Sequence, residues 1–147
     1  MNGQRGLGTV ICIWLLVPTL LMRTGMSLMS IFNTRFVSEN IDGVPVSAFN
    51  AIAQTEYLQA FQLLGLAHLP GIAFGFVAVI WLRPLLPLAI GLLLAEAFAR
   101  RILLGDNPLL WFSQGPQVGI NFVLMSMLAL ALVAALVDRV RAKDGES

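Results

Sequence analysis

Three residues in this chain are of the types that hold anions or pass protons in an apolar setting: His68, Glu96 and Arg100. Glu96 and Arg100 stand four apart with the acid N-terminal to the base. On a helix that spacing puts them on one face, in the favourable order for an ion pair. They lie in PLLPLAIGLLLAEAFARRILLG, residues 84–105, a run otherwise apolar enough to cross a bilayer. An ionisable side chain in hydrocarbon is costly, so it faces a protein interior or an aqueous cavity and takes a partner. His68 falls in a second apolar run, 61–82. With the two runs antiparallel, the rise per residue puts His68 and Glu96 roughly 10–14 Å beneath one surface. Arg23, Gln62, Arg100 and Asn121 fall nearer to that surface, so the polar residues of the spans gather in one half of the bilayer.

A Glu–His–Arg cluster can hold an anionic lipid headgroup, hydrogen-bond a quinone carbonyl or relay a proton, His and Glu being usual members of intramembrane relays. The plainer reading is a mutually satisfied network that fixes helix order, with Arg23 or Arg100 neutralising Glu96. The ligand-binding candidates are His68, Glu96, Arg100, Arg23, Asn121 and Gln62. Catalysis ranks last. The chain has no His-Glu-x-x-His, no Gly-x-Ser-x-Gly and no phosphate loop, and Glu96 has no second carboxylate at its depth. A pigment or haem on His68 is disfavoured, because His68 is the single histidine and Leu64 narrows the space one turn before it. Cys12, the single cysteine, reads as packing, and the six methionines show no ligand spacing, so no metal centre is expected.

The composition decides which elements carry these residues. Of 147 residues, 58% are hydrophobic and 12% charged, and mean hydropathy is +0.84. Soluble domains run at about 45–50% apolar and about 25% charged. The expectation is an all-α integral membrane four-helix bundle forming one transmembrane domain over residues 1–147. A net charge of +1 gives no electrostatic pull on nucleic acid.

The expected spans are 7–30, 61–82, 84–105 and 118–137, with an outer loop and an interfacial helix over 33–60. The first run resembles a secretory signal, but Arg23-Thr24-Gly25-Met26-Ser27 follows it in place of a small-residue cleavage site, so it is taken as an uncleaved span. Pro18 is expected to kink this span. Asp42-Gly43 marks a turn, and Ser47 is a candidate N-cap for the interfacial helix. Ala67, Gly71 and Gly75 form one small-residue stripe, and Gly91, Ala95 and Ala99 another, each a candidate for close helix packing and for mating with the other. Leu109 to Phe112 suits an interfacial anchor, and residues 138–143 a solvated tail. Four crossings would put both termini on one side, and Arg139, Arg141 and Lys143 near the last span assign that side to the cytoplasm.

Residues 85–108 join an apolar span, an arginine near its outer end (Arg100 or Arg101) and a Leu104-Gly105-Asp106-Asn107-Pro108 turn. This run resembles the DoxX-like group of small bacterial four-helix membrane proteins, and the order of spans extends the likeness along the chain. Glu56-Tyr57 and Gln62-Leu63-Leu64-Gly65 depart from the arginine-tyrosine-glycine-glycine-like opening usual for the second span of that group. The resemblance implies architecture, not an activity. The functional expectation is a non-enzymatic accessory subunit that packs in the bilayer against other subunits of a larger bacterial inner-membrane complex. The alternative is a free-standing binder of a lipid, a quinone or another small hydrophobic molecule around His68, Glu96 and Arg100.

Overall fold

The computed structural model describes residues 7–41, 43–103 and 115–144. Of these, 93% are helical, and no strand occurs among them. Helix α1, Leu7–Phe32, runs through Pro18, whose missing N–H leaves the carbonyl four residues earlier without its helical partner. The hydroxyls of Thr19, Thr24 and Ser30 bond to the carbonyls of Leu15, Leu20 and Met26 at 2.8, 2.7 and 2.9 Å. Bonding back to the preceding turn keeps each hydroxyl satisfied inside an apolar helix.

A bend at Asn33 separates α1 from α2, Thr34–Phe36, which leads into a π-helical turn over Val37–Ile41. Arg35 and Glu39 pair at 3.2 Å across this turn, exposed. Gly43 takes φ +70°, a left-handed conformation that glycine adopts without a Cβ penalty. Asp42, the other half of the expected turn, lies outside the described residues.

Helix α3, Ala51–Ile80, starts one turn later than Ser47 suggested. Ser47 lies in a short 3-10 turn, Val46–Ala48, and Phe49 after it is extended. The cap is Asn50, whose side-chain oxygen accepts from the Ala53 N–H at 2.9 Å. Phe49 and Asn50 both hold extended dihedrals, so no helix can continue through them from Ser47. Asn50→Ala is expected to cost about 1 kcal/mol, read as a lower thermal midpoint in detergent. The expected interfacial helix and second span are one helix of 30 residues that passes through Pro70. At 1.5 Å per residue it is about 45 Å long, beyond the thickness of a hydrocarbon core, so its polar first turns extend past the apolar zone.

A tight 3-10 turn, Arg83–Leu85, leads into α4, Leu86–Leu103. Helix α5 spans Gly115–Asp144. Among the described residues, three helical stretches are long and apolar enough to cross a membrane: Leu7–Phe32, Ala51–Ile80 and Gly119–Arg141. This corrects the expected count of four spans. Helix α4 has 18 residues, and Glu96, Arg100 and Arg101 fall in its last two turns. The same charges that single it out lower its standing as a crossing. The assignment of both termini to one side rested on four crossings and loses that basis.

Contacts between the helices follow one order: α1 lies between α3 and α5, and α4 packs against α3 and α5 on the far side. Each neighbouring pair is antiparallel. Gly75 of α3 sits on Leu20 of α1, while Gly65 sits on Ser27 and Ile31. At the other seam, the Gly8 N–H and the Thr9 hydroxyl at the start of α1 donate to Asp138 near the end of α5, at 3.1 and 2.8 Å. The Arg139 guanidinium donates to the Pro84 carbonyl at the entry to α4. Cys12, Leu16 and Leu20 of α1 pack with Ile90 and Leu93 of α4 and Leu128 of α5 in the core. Large apolar side chains also face outward: Trp14, Phe32 and Trp81 are all more than 70% exposed. Such an apolar exterior, with three helices long enough to cross, suits a bilayer.

Candidate functional site: an ion cluster joining three helices

Helix α4 turns Leu86, Ile90, Leu93 and Ala97 into the core, and Glu96 follows the same line toward the interior. There its carboxylate lies against a guanidinium and an imidazole from two other helices. Arg23 Nη1 of α1 lies 3.3 Å from Oε2, and His68 Nε2 of α3 lies 3.0 Å from Oε1. The Arg23 side chain is 12% exposed, His68 18% and Glu96 33%. Arg23 therefore crosses between helices on opposite sides of the ring. On α3, His68, Gly71, Ile72 and Gly75 share one face by the i, i+3, i+4, i+7 rule. A Cβ at Gly71 would stand 3.7 Å from Glu96 Oε2 and from Leu93, so a large residue at that position would press on the carboxylate.

Electrostatically, the cluster places one carboxylate between a permanent cation and an imidazole. Pairing lowers the cost of each charge in an apolar setting, and the low local dielectric makes the contacts stronger than on a wet surface. Chemically, such a carboxylate can hold an imidazole in one orientation or exchange a proton with it.

Of the six ligand-binding candidates, the structure brings together Arg23, His68 and Glu96. Gln62 is exposed and donates to the Ile31 carbonyl at 3.3 Å. Asn121 is half-buried on α5 and forms no hydrogen bond with the three among the described residues. The Arg100 side chain lies outside the described residues, and with it the expected pair between Glu96 and Arg100. So do the Leu-Gly-Asp-Asn-Pro turn and the Leu109–Phe112 anchor. Among the described residues no group of three or more His, Cys, Asp or Glu side chains could hold a metal.

The two small-residue stripes do not mate. Gly75 faces Leu20 of α1 rather than α4, and Ala67 is exposed. Gly91 has nothing among the described residues within 4 Å of its Cβ position, and Ala95 and Ala99 are exposed. The rotation of α4 explains this, since turning Glu96 and its apolar line inward turns Ala95 and Ala99 outward.

One polar junction has no counterpart in the expected site set. Asp138, placed by the sequence in a solvated tail, lies within α5 and caps the start of α1. The signal was present in retrospect: Gly8-Thr9 opens α1, and an acid near a helix N-terminus is favourable. Only the antiparallel seam between α1 and α5 joins them, across 129 positions of chain.

No protein-family model matches this chain, and no curated protein or solved structure matches it either.

Proposed function

We propose that this chain is a non-enzymatic integral membrane protein that packs as an accessory subunit against a larger complex, in a bacterial inner membrane. The observation that carries the reading is the outward face of α4. Gly91, Ala95 and Ala99 line it, with Leu88 and Leu92 beside them more than half exposed. In lipid there is little hydrophobic gain from helix association, so small residues that let backbones approach favour it. The inward polar residues fit the same role, because Arg23 and His68 both turn to Glu96 and hold three helices in register. The inner-membrane placement goes with the basic cluster Arg139, Arg141 and Lys143 and with the DoxX-like outline.

Native mass spectrometry after mild extraction from the source membrane tests the reading. A heteromeric mass of fixed stoichiometry is expected, and Ala95→Trp is expected to abolish it without changing the thermal midpoint of the isolated chain. A monomer with no partner, in both forms, would sink the proposal.

A second reading is favoured by the 33% exposure of Glu96: a free-standing protein that binds a lipid headgroup or a quinone at the Arg23–His68–Glu96 cluster. It predicts a small homogeneous particle carrying a discrete adduct that Glu96→Gln releases.

A further inference from the structure

Helices α1 and α5 do not close fully on one another along their shared seam. Between them lies an open groove of about 430 Å3, lined by Pro18, Thr19 and Met22 of α1 and by Gly119, Val123 and Met127 of α5, among others. Among the described residues its walls are apolar but for Thr19, and the Thr19 hydroxyl is committed to the Leu15 carbonyl at 2.8 Å. The groove is distinct from the ion cluster, and no lining residue belongs to it.

We infer that this groove seats one acyl chain of a membrane phospholipid. The lining from Gly119 to Met127 covers eight steps of helix, about 12 Å. Dividing the volume by that length leaves a cross-section of roughly 36 Å2. A helix with its side chains, about 10–12 Å across, needs roughly 80–110 Å2 and could seat only a ridge of side chains there. A flexible hydrocarbon chain fits. Among the described residues the lining presents no uncommitted polar side chain to a quinone carbonyl or a headgroup, so the polar end of the occupant stays outside, where a phospholipid keeps it. Both walls belong to helices long and apolar enough to cross a membrane, so the mouth opens onto hydrocarbon. Met22 and Met127 add adaptable walls that fit a chain without a fixed shape.

The groove has a built-in control. Among the described residues, a Cβ at Gly119 meets nothing within 4 Å, and the same holds at Gly91 on the outer face of α4. Gly119→Leu therefore adds bulk at a lining position whose Cβ has room, and Gly91→Leu adds equal bulk away from the groove. The full-length protein in detergent is exposed to a low mole fraction of phosphatidylethanolamine bearing a diazirine on one acyl chain, irradiated and digested. Labelling is expected to concentrate on the peptides holding Met22, Val123 and Met127, to lose that enrichment in Gly119→Leu and to keep it in Gly91→Leu. Even labelling of all outward apolar faces, or enrichment that survives Gly119→Leu, would overturn the inference. So would a diazirine quinone that labels the groove where the phospholipid does not.

Discussion

Glu96→Ala is expected to be the most damaging single change among the ionisable residues, lowering stability by about 3 kcal/mol. Removing one member of a buried ion pair upsets the charge balance around the other, and that typically costs about 3–5 kcal/mol. Arg23, 12% exposed, is left as a cation with its carboxylate gone, and His68 loses the same partner. The lower end of the range applies because a third of the Glu96 side chain is exposed. Arg23→Met combined with Glu96→Leu is expected to be less harmful than Glu96→Ala alone, since it removes both charges and keeps volume. Thermal melting in mild detergent of Arg23→Met, Glu96→Leu, the double variant and the parent forms a cycle that isolates the coupling. Additive effects would mean that Arg23 does not depend on Glu96, and the three-helix junction would then contribute little.

Gly8→Ala is the second large effect, and here the strain is steric. A Cβ at position 8 would lie 2.5 Å from the Ala134 carbonyl oxygen and 2.7 Å from the Asp138 carboxylate. The first wall is backbone and cannot rotate away, so α1 and α5 must separate. Separation stretches the hydrogen bonds that Gly8 and Thr9 give to Asp138. Overpacking of this kind costs about 1–3 kcal/mol, and the lost capping bonds put this site at the upper end. Gly75→Ala presses instead on the Leu20 side chain, 2.7 Å away, and leucine can change rotamer at lower cost. The expected order of melting temperatures is Gly8→Ala lowest, then Gly75→Ala, with Gly91→Ala at or above the parent. Position 91 is open, and alanine outranks glycine in a helix interior by about 1 kcal/mol. If Gly8→Ala melts with the parent, the seam between α1 and α5 has slack that the contact distances deny.

The sequence by itself determined the class of structure and the residues worth watching. A chain with 58% hydrophobic and 12% charged residues has one economical solution in lipid, helices that satisfy their own backbone. Depth counting along two antiparallel apolar runs put His68 and Glu96 at one level, and they are 3.0 Å apart. Depth is legible because helical rise is fixed at 1.5 Å per residue. Rotation is not legible, because it depends on which neighbour each face meets. That is why the small stripe of α4 looked like a mate for α3 but faces outward.

The tertiary structure alone decided who pairs across the bundle. Arg23 reaches Glu96 across 73 positions of chain, and Thr9 reaches Asp138 across 129. No local pattern encodes such pairs, since each follows from the order in which four helices pack. The same holds for the start of α3: Ser47 and Asn50 are both competent caps by residue type, and the extended backbone at Phe49 selects Asn50. The number of apolar crossings also turned on a balance that windowed hydropathy blurs. In α4, charges that make a cluster and apolar residues that make a span share the same 18 positions, and the charges outweigh the span.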